Sequence, residues 1–89
     1  MSRLWIILRG DRGKTATANA IVRELTAIGR SSVHICDQPA YMSEDAFVEL
    51  IEELANEETV IFDCLPFADL VKSLAERANI HYIELLCGN

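Results

Sequence analysis

Four short apolar runs, Leu4 to Leu8, Ser32 to Cys36, Thr59 to Asp63 and Ile80 to Leu86, alternate with three segments whose apolar residues recur at helical spacing. Few folds accept that order. Runs this short and this continuously apolar read as strands buried on both faces, and a strand followed each time by a helix crosses over to lie parallel to its neighbour. The expected fold is α/β, a three-layer α/β/α arrangement around a four-stranded parallel sheet. Right-handed crossovers then bring all the carboxyl ends of the strands to one edge. No linker, repeat or low-complexity stretch interrupts the 89 residues, so one domain spanning 1–89 is expected.

The helical segments carry their own punctuation. From Lys14, the residues Ala18, Ile21, Val22, Leu25 and Ile28 form a stripe, and Gly29 is placed to end the helix. Ser43 can cap the second helix, with Glu44 and Asp45 in its first turn and Phe47, Leu50, Ile51 and Leu54 facing inward. Pro66 opens the third, whose inward residues are Phe67, Leu70, Val71, Leu74, Ala75 and Ala78.

Between the first strand and first helix lies Arg9-Gly10-Asp11-Arg12-Gly13-Lys14-Thr15-Ala16. Glycines let main-chain amides turn inward around an anion, a new helix offers its positive end, and a lysine and a hydroxyl complete a phosphate cradle. Gly10, Asp11, Arg12, Gly13, Lys14, Thr15 and Ala16 are therefore the candidate ligand-binding residues. The spacing departs from the usual one, in which a glycine stands five residues before the Gly-Lys-Thr unit. That position is Leu8 here, and the glycine is at Gly10. Either the loop is two residues shorter, or it keeps its length without the leading glycine.

Charge supports an anionic ligand at this end. Residues 1–30 carry six basic and two acidic side chains, and residues 31–89 carry two basic and twelve acidic ones, within a net charge of −6. A nucleic-acid backbone would be repelled by most of the molecule, so direct nucleic-acid binding is not expected. Leu4 to Leu8 is too short for a signal-peptide core and no stretch reaches membrane-spanning length, so the expectation is a cytoplasmic chain without membrane association. Cys36, Cys64 and Cys87 are widely spaced and read as buried reduced thiols, and their spacing with His34 or His81 fits no common zinc site. Both histidines read as structural.

The segment Gly13 to Leu25, followed by Gly29-Arg30 and by Val33-His34-Ile35-Cys36-Asp37, resembles the first strand–helix–strand unit of the P-loop NTPase superfamily, nearest to small kinases of the adenylylsulfate and nucleotide type. The likeness extends more loosely through Val60-Ile61-Phe62-Asp63. It implies a sheet order of 2-3-1-4, with Asp63 close to Thr15. It further implies a nucleoside triphosphate, ATP or GTP, bound with Mg2+. Lys14 would contact the β and γ phosphates, Thr15 and Asp63 would manage the metal, and Asp37 would serve the acceptor as a base. Family kinases continue into an arginine-bearing lid that this sequence does not show, so a catalytically weak or inactive binding domain is expected in preference to a complete kinase. From a different class comes a non-enzymatic inhibitor or adaptor that engages a basic protein through Glu44, Asp45, Glu49, Glu52, Glu53, Glu57 and Glu58. The two open sheet edges also allow a homodimer.

Overall fold

A computed structural model describes residues 3–10, 12–35, 43–54, 56–63 and 67–87. They form strands β1 (Leu4–Arg9), β2 (Val33–Ile35), β3 (Thr59–Phe62) and β4 (His81–Leu86), and helices α1 (Lys14–Ala27), α2 (Glu44–Glu53) and α3 (Ala68–Ala78), in strict alternation along the chain. The strands make one parallel sheet in the order β2-β3-β1-β4. Leu4 of β1 stands opposite Thr59 of β3 on one side and His81 of β4 on the other.

The layers follow from this order. The step from β1 to β2 runs one way across the sheet and the next two steps run the other way, so crossovers of one hand place α1 on the face opposite α2 and α3. Side-chain alternation divides the core accordingly. Trp5, Ile7, Ile35, Val60 and Phe62 pack against Phe47 and Ile51 of α2 and Ala68, Val71 and Ala75 of α3. Ile6, Leu8 and Ile61 meet Ala18 of α1, with Ile21 and Val22 alongside. Trp5 is fully buried and meets Phe62 edge-on, with ring centroids 5.1 Å apart.

Helix ends explain where each element stops. Ser43 accepts a hydrogen bond from the Ala46 N–H at 3.2 Å, as its place before two acidic residues suggests. α1 is closed by the Gly29 N–H donating to Thr26 and the Arg30 N–H to Leu25, with Gly29 at φ 79°. Asn79, at φ 60°, plays the same part after α3, where the Ile80 N–H reaches Ala75.

Three expectations need correction. Ile28 follows the end of α1 and is 74% exposed, because the helix closes before another turn could return it to the stripe. Ala78, in the last turn of α3, is exposed as well. β4 is not buried on both faces: Ile83, on the α1 face, is 40% exposed, since α1 packs against β1 and β2 and leaves the outer strand largely uncovered there, and Leu86, beside Arg9 on the α3 face, is 83% exposed. On the other face β4 meets α3 through charge. Arg9 pairs with Asp69 and Glu84, Lys72 with Glu84, and the Tyr82 hydroxyl donates to Glu76. Among the described residues no helix is long and apolar enough to cross a membrane.

Candidate functional site

At the carboxyl edge of the sheet β1 leaves the core at Arg9, and the chain turns through Gly10 and Gly13 into α1. Gly10 has φ 129°, and a Cβ built there would meet the Cys87 carbonyl oxygen at 1.9 Å. The Cys87 N–H donates to the Arg9 carbonyl at 2.6 Å, which fixes that close approach. Glycine at position 10 is thus demanded by the strand beside it, a different reason from the anion cradle that the sequence suggests. Gly13 fits the cradle better. It is the N-cap of α1 at φ 83°, exposed, and its carbonyl receives the first helical bond, from Thr17 at 2.9 Å.

The opening turn of α1 differs from that of α2. No side chain among the described residues caps it, and its first turn holds no acidic residue. The amides of Lys14, Thr15 and Ala16 precede the first carbonyl that a helix could offer them, so they point outward as donors. Thr15 and Ala16 are exposed and Lys14 is half-buried. With the helix dipole behind them, these donors suit a negative oxygen.

Side chains add charge and a metal-type donor pair. The Lys14 ammonium donates to the Gly10 carbonyl at 2.7 Å, so it lies back over the loop. The Thr15 hydroxyl donates to Asp63 Oδ2 at 2.8 Å, across the gap between α1 and β3. Asp63 is 3% exposed, and its N–H donates to the Ile35 carbonyl at 2.8 Å, carrying the β3 to β2 ladder one residue past the strand. His34 Nε2 lies 3.4 Å from the same Oδ2. Sequence reasoning gave His34 only a structural role. Its place beside Asp63 depends on the β2 to β3 register, in which His34 stands opposite Ile61.

The remaining expected residues divide cleanly. Arg12 is exposed on the loop. Arg9 is turned to the α3 face, where hydrogen bonds to Asp69 and Glu84 raise its already high pKa, and so it does not serve the loop. Asp11 and Asp37 lie outside the described residues, as do Cys36 and Cys64, whereas Cys87 is buried and free. Among the described residues no three His, Cys, Asp or Glu side chains converge on a common point. A hydroxyl and one carboxylate do fit Mg2+, which takes hard oxygen donors and usually keeps water and substrate phosphates in most of its positions.

A concavity of about 350 Å³ lies at the opposite end of the sheet between Leu4, Leu25, Ile28, Arg3, Arg30 and His81. It is mostly apolar and distant from the loop.

Comparison with protein-family models, with curated proteins and with solved structures gives no match to the chain.

Proposed function

We propose that the chain is a minimal P-loop-type domain that binds a nucleoside triphosphate, or another polyphosphate, together with Mg2+ at the carboxyl edge of its sheet. The hydrogen bond of 2.8 Å between Thr15 and Asp63 is the observation that carries this reading. It brings residues far apart in sequence to one point beside a glycine-capped helix start and a lysine, which is the arrangement that a phosphate-bound cation requires. Mg2+ would be held through Thr15 and Asp63 and would draw charge from the phosphate oxygens. The ammonium of Lys14 would exchange the Gly10 carbonyl for a phosphate oxygen, and the amides of Gly13 to Ala16 would orient the group. Any phosphoryl transfer or hydrolysis is weak or depends on a partner, because the described residues bring no arginine over the loop other than exposed Arg12.

Titration calorimetry with ATP and GTP, with and without Mg2+, tests the proposal. Binding is expected in the wild type and lost in Lys14→Ala, while Thr15→Ala loses the Mg2+ dependence. Equal, weak or absent binding in wild type and Lys14→Ala overturns it.

A second reading, an adaptor or inhibitor acting on a basic protein, draws support from α2, where Glu44, Asp45, Glu49, Glu52 and Glu53 are all exposed. A pull-down that compares wild type with a charge-reversed Glu49/Glu52/Glu53 variant tests it independently.

A further inference from the structure

His34 is half-buried, and its Nε2 atom, which is out of reach of solvent, makes no hydrogen bond among the described residues. A buried imidazole nitrogen left so is unfavourable. Its position is not an accident of a loose side chain. Side-chain alternation puts Val33 and Ile35 into the core under α2 and α3, so His34 projects to the face of α1. Asp63 follows Ile61 by two residues on the adjacent strand and therefore shares that face. Thr15 reaches the same spot from the first turn of α1.

The Thr15 hydroxyl and the His34 imidazole thus both approach one oxygen of the Asp63 carboxylate. The contacts to Oδ2 measure 2.8 Å from Thr15 and 3.4 Å from His34. Neighbouring ligands of a small divalent ion, with bonds of about 2.1 Å, stand roughly 2.9–3.4 Å apart. The His34 separation is that of a co-ligand, the shorter Thr15 separation is that of a hydrogen bond a cation would replace, and the chemistry is mixed. Mg2+ prefers oxygen alone, whereas first-row transition ions accept imidazole readily.

We infer that His34 is a direct nitrogen ligand to the cation held by Thr15 and Asp63, and that the site consequently prefers a nitrogen-accepting ion such as Mn2+ to Mg2+. The inference rests on the function proposed above and deepens it. One carboxylate and one imidazole leave most coordination positions to phosphate oxygens and water, so the ion binds with the polyphosphate and not as a permanent structural metal.

Mn2+ with inorganic tripolyphosphate is the suitable probe, since that ligand carries no nitrogen. Pulsed electron paramagnetic resonance of the full chain is expected to show directly coupled imidazole 14N, converted to the 15N pattern by 15N-histidine labelling. His34→Gln should abolish the signal and weaken Mn2+ binding about tenfold or more, while Mg2+-supported binding changes less than twofold. Circular dichroism establishes that the variant is folded, and His34→Asn repeats the test with a smaller side chain. Mn2+ bound without imidazole coupling in the wild type overturns the inference and leaves the proposed function standing, with His34 merely beside the carboxylate. Tripolyphosphate binding that depends on Lys14 but takes up no Mn2+ has the same meaning. Mn2+ binding indifferent to both Lys14→Ala and Thr15→Ala overturns the proposed function, and no binding of metal or polyphosphate overturns both.

Discussion

Single residues here are constrained by what touches them, and Gly10 is the sharpest case. A methyl group at this position collides with the Cys87 carbonyl in a backbone conformation that L residues rarely adopt, whereas at Gly29 a methyl group meets nothing within 4 Å. Gly10→Ala should therefore destabilise the fold by about 2–4 kcal/mol, against about 1–2 for Gly29→Ala, where only the backbone preference is lost. Thermal unfolding followed by circular dichroism will rank them. Glu84 gives a prediction in pH. The hydrogen bond from Arg9 holds its carboxyl below the usual range, and Lys72 assists. A depressed carboxyl contributes stability above its unfolded pKa and loses that contribution as pH falls through the folded value. Melting temperatures of wild type and Glu84→Gln should accordingly differ at neutral pH and converge in acid. The placement of Lys14, Thr15 and Asp63 at one edge of the sheet was readable from the sequence, because it follows from local spacing and strand ends. His34 was not, because it acquires a neighbour only once the register of two strands distant in sequence is known.

Among elements, those bounded by strong local signals were the legible ones. The cap at Ser43 and the glycine after α1 act within a few residues, so the chain declares them without help from the fold. Ser43→Ala should cost about 1 kcal/mol, measurable by urea denaturation. The exposure of β4 was less legible. Its Ile83, Leu85 and Leu86 look as suited to burial as the residues of β1, yet burial depends on how many helices cover the sheet and where each lies. Native-state amide exchange should reflect this division. β1 and β3, paired on both sides, should exchange slowest, and the outward amides of β2 and β4 much faster. Equal protection across the four strands would show that β4 is covered in solution, and a concentration dependence of that protection would identify a second copy as the cover.

At the scale of the molecule, strand order is what brings the candidate residues together. Alternating strands and helices announce a parallel sheet, but not which strands are neighbours, and that order came only with the resemblance to P-loop proteins. Placing β3 beside β1 is the step that joins Asp63 to Thr15. Charge is distributed in keeping with it, basic in the first 30 residues and acidic in the rest. Polyphosphate binding should therefore weaken several-fold between about 0.05 and 0.5 M salt, as screening shortens the reach of the basic end. Calorimetry across that range measures the slope, and Arg12→Ala should flatten it.

The tight seat of Gly10 against Cys87 has one more implication. The backbone at the end of β4 and the backbone of the loop are fastened together, by the Cys87 amide on Arg9 and by the Cys87 carbonyl against Gly10. A displacement of that outer strand's end therefore has to carry the start of the loop with it, since the two backbones touch within a single residue.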